Sequence, residues 1–313
     1  QVIMQFLNGQ RGISDENTLI FIGRALLKAA ATDPKQVKEN LFDRVLKSSP
    51  DNREALLVTG ELALAKRDFK LAGQTFTRAI GHYPDDADLL YGLAKAYAES
   101  DPSQMEEPLH TAMFTNPDHV PSLLLQAHNQ ADAEQYDTAN GILKAIFKIN
   151  PNHAASWALQ AALHTVRNEP DKAKSARASG LKYWKTNPLV DHEIGKKLSS
   201  KYLFAEGAAH QRQALEFSKD YLQAKTQLAQ DLLRLGQEEE GWRLAEEAHK
   251  ADGYDVTTYN LLTLHDSLKK YTTIDRNGFL LRMTPDEAAL YGDEAIDLLT
   301  EARELFSSKY DTQ

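Results

Sequence analysis

The chain has no cysteine among its 313 residues. That absence removes disulfide staples, thiol nucleophiles and thiolate zinc sites together. It leaves the compartment open, because oxidising and reducing compartments both tolerate cysteine-free proteins. Long apolar runs are missing too. The densest cluster, LIFI at residues 19–22, is far short of the roughly 18 apolar residues of a membrane helix. Cations are outnumbered: 36 Lys and Arg against 45 Asp and Glu give a net charge of −9, which argues against a nucleic-acid backbone as partner. There is no Gly-rich phosphate loop, no nucleophile elbow and no Ser/His/Asp arrangement legible in the sequence. The one His-Glu pair, His192-Glu193, continues as Ile194-Gly195-Lys196. It therefore lacks the second imidazole that a His-Glu-x-x-His zinc helix needs, and it reads as an exposed histidine at a loop-to-helix junction. The acidic run Glu238-Glu239-Glu240 reads as the first turn of a helix, where negative charge suits the dipole, rather than as a calcium site. These absences predict a chain without a catalytic motif, cofactor or metal. It opens on Gln1 with no basic leader. That reads as a fragment or processed form whose signal peptide, if any, was removed or never present.

What is there is a period. Between residues 42 and 151 one pattern occurs four times: FDRVLKSSPDNREALL, FTRAIGHYPDDADLLYGLA, LHTAMFTNPDHVPSLLLQA and LKAIFKINPNHAASWALQA. Each is an apolar helical stretch, a short loop with Pro and Asp or Asn, and a second helical start. The prolines Pro50, Pro84, Pro117 and Pro151 are 34, 33 and 34 residues apart. A 34-residue helix–turn–helix period resembles the tetratricopeptide repeat (TPR) family. Further residues carry the resemblance: Gly60, where paired helices approach closely, then Ala72, Phe76 and Ala79 at the small–aromatic–small spacing of the second helix, and Trp157 at a bulky first-helix position. The resemblance implies an all-α right-handed superhelical solenoid of about seven helix hairpins.

Taken in order, residues 1–13 read either as the last turn of a preceding helix or as a frayed terminus. Residues 14–32 form a helix with Leu19, Ile20, Ile22, Leu26 and Leu27 on one face. Asp33-Pro34-Lys35-Gln36 starts the next helix, with Asp33 as cap, Pro34 at the first position and Gln36 as capping-box partner. Hairpins follow at about 15–48 and 53–84, and again in the third, fourth and fifth repeats, the third turning at Asp101-Pro102-Ser103-Gln104. The interval from Pro151 to Pro188 is 37 residues, so an insertion is placed at 181–186. The sixth repeat is predicted at 189–218 and the seventh at 221–252, with Lys219 and Gly253 standing at the proline position. One more first-type helix runs over 254–270, and there the period stops. The solenoid is accordingly assigned to 1–270 and a separate tail to 271–313. Asn277-Gly278 signals a turn, 279–283 a short strand, and Thr284-Pro285-Asp286-Glu287 a helix start with a capping box. That helix is expected to bury Ala288, Tyr291, Ala295, Leu298, Leu299, Ala302 and Phe306 against the last repeat. Phe279, Leu281, Arg282, Met283, Glu287, Ala288, Tyr291, Gly292, Leu298, Leu299 and Tyr310 resemble the opening of the peptidase-MA-like (gluzincin) domain that follows TPR arrays in bacterial proteins. If so, the chain stops before the zinc motif.

In the TPR family the first helix of each pair lines a concave groove, chiefly at its second, fifth, ninth and twelfth or thirteenth repeat positions. The resemblance places Glu54, Leu57, Glu61, Leu64, Asp88, Tyr91, Lys95, Glu99, Leu124, His128, Asp132, Ala158, Ala162, Val166, Gln223, Thr226, Gln230 and Arg234 there. The fifth/ninth pairs are Leu57/Glu61, Tyr91/Lys95, Leu124/His128, Ala158/Ala162 and Thr226/Gln230. None is the Lys/Asn pair that clamps a C-terminal carboxylate. The groove reads as acidic early and apolar through repeats four and five, which suits an extended or helical peptide. His128 and His164 fall on helices that face it. Three functions stay open: a protein-interaction scaffold, the substrate-recruiting arm of a zinc metallopeptidase, and a structural or self-associating solenoid.

Overall fold

The computed structural model describes residues 15–28 and 33–310. The expected stub at 1–13, Ser14, and residues 29–32 of the first predicted helix lie outside that set. The chain divides into two compact units, Gln1–Gln227 and Leu228–Gln313.

The first unit is a row of helix hairpins. Helix α1 spans Glu16–Lys28, and its partner runs as α2 (Pro34–Val37), a π turn at Lys38–Phe42 and α3 (Asp43–Ser48). Then come α4 (Arg53–Ala65) with α5 (Phe69–His82), and α6 (Ala87–Ser100) with α7 (Glu106–Thr115). They are followed by α8 (Val120–Asp132) with α9 (Tyr136–Ile149), α10 (Ala154–Val166) with α11 (Pro170–Gly180), and α12 (Pro188–Ser200) with α13 (Phe204–Phe217). Helix α14 (Leu222–Arg234) contains the division between the units. Local chemistry explains the starts. Asp33 accepts the Lys35 amide with Pro34 at the first position, Asn52 accepts from Ala55, Asp68 from Leu71 and Asp86 from Leu89, each satisfying an orphan N–H. The turn inside a hairpin places Arg67, Glu134, Asn168, Tyr202 and Gly236 at positive φ. The third hairpin turns instead through a 3₁₀ turn at Pro102–Gln104, as its Asp-Pro sequence predicts. The insertion forms the loop after α11, since no helix is assigned between Gly180 and Pro188.

The period survives in the packing. Phe76 is fully buried beside Leu56, Ala72, Ala79 and Leu89. A Cβ added at Gly60 would stand 2.4 Å from its ring, and one added at Gly92 also 2.4 Å. The close approach predicted for Gly60 is therefore made across an aromatic ring shared by two first helices. One repeat on, Ala94, Met105 and Leu109 cluster, and one further, Ala127, Leu143, Ile146, Leu159 and Leu163.

In the second unit, α15 (Glu238–Ala251) and α16 (Val256–Leu268) form a helix pair joined by a stack of Trp242 on His265 at 4.5 Å. Strands β1 (Thr272–Arg276) and β2 (Phe279–Met283) then form an antiparallel hairpin, followed by α17 (Pro285–Tyr310). Only β2 is predicted from sequence. Its partner TTIDR precedes Asn277-Gly278, which take φ of 54° and 77°, the double positive φ of a type I′ turn. Thr284 and Glu287 form the predicted capping box: the Thr284 hydroxyl donates to the Glu287 carboxylate at 2.7 Å.

The buried face of α17 differs from expectation. Gly292 and Ile296 are the buried positions, with Gly292 against Ile274 of β1. Thr300 bonds Asn277, and the Arg303 guanidinium lies 4.9 Å over the Phe279 ring. Tyr291, Leu298, Leu299 and Phe306 are exposed, and Ala288, Ala295 and Ala302 are half-buried. The helix presents its 292–296–300–303 stripe to the hairpin, because only Gly292 lets the backbone pass over Ile274. No helix among the described residues is long and apolar enough to cross a membrane.

Candidate functional site

The first helices of the hairpins in the first unit are tied to each other by charge. Arg24 of α1 pairs with Glu54 at 3.2 Å and Glu61 at 3.8 Å on α4. Arg53 forks Asp86 at 2.7 and 2.9 Å and reaches Asp88 at 2.6 Å on α6. The Asp86 bond, with help from Asp88 and Glu54, raises the guanidinium above its already high value. His119, at the start of α8, closes on Asp88 through Nε2 at 3.1 Å and on Ser122 through Nδ1 at 2.8 Å. Further along the row the partners change sign. Lys197 of α12 is buried and reaches Asp132 of α8 at 2.8 Å, past the intervening α10, while Lys201 donates to the Asp132 carbonyl at 3.1 Å.

The predicted groove residues fall into two groups. Glu61 and Lys95 are exposed, and Tyr91, Leu124, His128, Thr226 and Gln230 are half-buried. Leu57, Ala158 and Ala162 are buried and offer no surface. Leu57 sits in the Phe76 cluster, and the two alanines pack with Ala176, Val190 and Ile194. Their small side chains let α10 and α12 close up, which is why Lys197 can span to α8.

His128 stands where the sign changes. Burial first, then Lys197, Lys196 and Lys95, push its imidazole down to about 3, so it is neutral at physiological pH. Lys95 lies 5.9 Å over the Tyr91 ring, which meets His119 edge-on at 5.8 Å. Toward α4, partial desolvation of the carboxylate, whose side chain still reaches solvent, and then Asp88 and Glu54 push Glu61 up, against the pull of Arg24 and Arg53. The row is thus acidic at α4 and the start of α6, and cationic around His128.

His164 does not join it, because its Nδ1 is held by Glu169 at 2.6 Å in its own hairpin turn. His192, expected to be exposed, is buried. Its Nδ1 meets Gln211 Oε1 at 2.9 Å and its ring meets Tyr221 edge-on at 5.5 Å. Burial pushes His192 down and Tyr221 up to about 12. Glu238 begins a helix as predicted and is forked by Arg282 at 2.7 Å twice. No cluster of three metal-ligating side chains exists among the described residues.

Sequence reasoning missed a second polar centre. The position of Phe76 recurs as Leu109, Leu143, Arg177 and Gln211, at intervals of 33, 34, 34 and 34. The apolar knob becomes a guanidinium and an amide in consecutive repeats. Arg177 forks the fully buried Asp191 at 2.7 Å through both Nε and Nη2, and His210 Nδ1 meets the same carboxylate at 2.7 Å. Burial alone would raise the Asp191 carboxyl; the bonds from His210 and Arg177 outweigh it and hold it below the usual range. The signal was present in the period, as polar residues at a core position.

No family model matches the chain, and no curated protein matches it. Solved structures do. A tetratricopeptide repeat protein from Parabacteroides merdae superposes with a TM-score of 0.52 at 14% identity, over 80% of this chain and 98% of that one. A chain of the APC/C hetero-tetramer Cut9-Hcn1 superposes with a TM-score of 0.50 at 13% identity, over 83% of this chain and 57% of that one. At these identities the likeness is one of fold. The helical solenoid is of the TPR type, and its C-terminal end carries a short two-stranded sheet.

Proposed function

We propose that this TPR-type solenoid is a protein-interaction scaffold whose row of first helices binds an extended segment of a partner protein. The observation that carries the reading is the change of sign along one row. Glu54, Glu61, Asp86 and Asp88 outnumber their partners Arg24 and Arg53 at one end, and Lys95 and Lys196, with Lys197 already bonded to Asp132, gather around a neutral, half-buried His128 at the other. Between them Tyr91 and Leu124 supply partly exposed apolar surface. Such a surface selects a segment with basic side chains at one end and acidic ones at the other, and orients it. The Thr226/Gln230 pair is a further proposed contact position.

A display library of random peptides selected on the intact chain tests this. Enriched peptides are expected to separate Lys or Arg from Asp or Glu by a few residues. Reversing charge with Lys95→Glu and Lys196→Glu together is expected to weaken them by about tenfold or more. Enrichment of charge-free peptides, or affinities indifferent to that reversal, overturns the reading. Sedimentation of the chain alone tests the self-associating alternative. A second reading, the recruiting arm of a zinc metallopeptidase, rests on the resemblance of residues 279–310 and on the strand and helix they form. A gene sequence without His-Glu-x-x-His within about 200 residues after Gln313 removes it.

A further inference from the structure

The Arg177 centre borders an unassigned cavity of about 330 Å³. It lies in the seam between the α10–α11 and α12–α13 hairpins and uses none of the predicted groove residues. Ala161, Ala173 and Ile194 supply apolar lining, and Lys174, Arg177 and His210 supply nitrogen. The cavity has a cause in the repeat period. Where the earlier repeats place Phe76, Leu109 or Leu143, all fully buried, this one places Arg177. The guanidinium turns to Asp191 on α12 instead of filling the space over Ala161. Helix α11, PDKAKSARASG, carries no large apolar side chain that would fill it either.

The donors are arranged for an anion. Asp191 can only accept, so His210 presents Nδ1–H to it, and the donors left for an anion are those of Arg177 and Lys174. Arg177 spends Nε and Nη2 on Asp191, which fixes the plane of the fork and leaves Nη1. Lys174 is exposed on the same helix. The one carboxylate in the lining, Glu169, is already engaged by His164 at 2.6 Å and Lys172 at 2.9 Å. A single remaining guanidinium edge with one lysine suits one negative charge, and the accessible faces of Ala173 and Pro170, over a floor of buried Ala161 and Ile194, suit a short alkyl group.

We propose that this cavity binds a small aliphatic carboxylate, with the anion on Arg177 and Lys174 and the alkyl group against Ala173 and Pro170. Two sources carry that chemistry: a free short-chain acid, and the C-terminal carboxylate of a chain ending in an apolar residue. Titration calorimetry with the intact chain tests both, using butyrate, N-acetyl-glycyl-valine with a free carboxylate, and the same dipeptide as its amide. Saturable binding of butyrate identifies a free acid. Binding of the dipeptide acid alone identifies a chain terminus. In either case the amide is silent, and affinity falls about tenfold or more in Ala173→Leu, which fills the cavity, and in Lys174→Glu, which reverses its rim. Lys174 is exposed, so Lys174→Glu remains informative if Ala173→Leu fails to fold. Charge reversal at Lys95 and Lys196 leaves this binding unchanged, so the cavity and the groove stand or fall separately. No heat from either acid at millimolar concentration, or binding that survives Lys174→Glu, overturns the proposal.

Discussion

Phe76→Ala is expected to lower the stability of the first unit by about 3–5 kcal/mol, the range for deleting a buried aromatic ring. The ring is fully buried and its edge fills the space that Gly60 and Gly92 leave open. The two glycines belong to successive first helices, so the lost contact is an interface between repeats as well as the core of one. In a solenoid each repeat touches only its neighbours, and the effect is local. Hydrogen exchange should quicken in α4, α5 and α6 and leave α12 and α13 unchanged. The reverse substitution tests the same geometry. Gly60→Ala gains up to about 1 kcal/mol of helix propensity but drives a methyl into the ring, at a cost of about 1–3 kcal/mol. In a Phe76→Leu background that cost should shrink, because the shorter side chain vacates the contact. Additive effects in the double variant, read from denaturation midpoints, would show that Gly60 and Phe76 do not share a space.

The same contact shows why so much of the fold was legible. A helix pair can close to ring contact only where one partner lacks a side chain, so Gly60 and Phe76 are read from residue type and spacing alone. The capping residues Asp33 and Thr284 are legible for a similar reason: each acts on an amide two or three residues away. Legibility failed where the deciding contact came from another element. Apolar residue types alone turn Tyr291, Leu298 and Phe306 of α17 inward, but Ile274 selects the glycine face instead. That required β1, whose TTIDR run is signalled only through the Asn-Gly turn beside it. A place near a helix start reads as exposed for His192, yet Gln211 and Tyr221 enclose it. Repeat position alone assigns Ala158 and Ala162 to the groove, but both are buried where their small side chains bring the helices together. The Arg177 cavity was the reverse case. Its residues break the period in plain sight, and their meaning appears only when Asp191 is seen buried beneath them.

Arg177→Met is the second substitution with a large expected effect, about 3 kcal/mol at neutral pH. Removing one partner of a buried ion pair strands the other charge, and Asp191 is fully buried. The sign of the pH dependence distinguishes this cause from lost packing. In the wild type the carboxyl is held below its usual value. Its contribution is therefore complete above the unfolded value of about 3.9 and is lost as pH falls through the lower folded value. In the variant His210 remains, but burial is no longer opposed by the guanidinium, and the carboxyl moves up. The folded variant then takes up its proton at higher pH than the folded wild type does. Its deficit against wild type should narrow as pH falls from 7 toward 4. Pairing Arg177→Met with Asp191→Asn, which removes the charge and keeps the shape, should recover much of the loss at pH 7. A deficit that stays constant across this range, and that Asp191→Asn leaves unrelieved, would mean that Arg177 acts through its methylene packing and not through its charge.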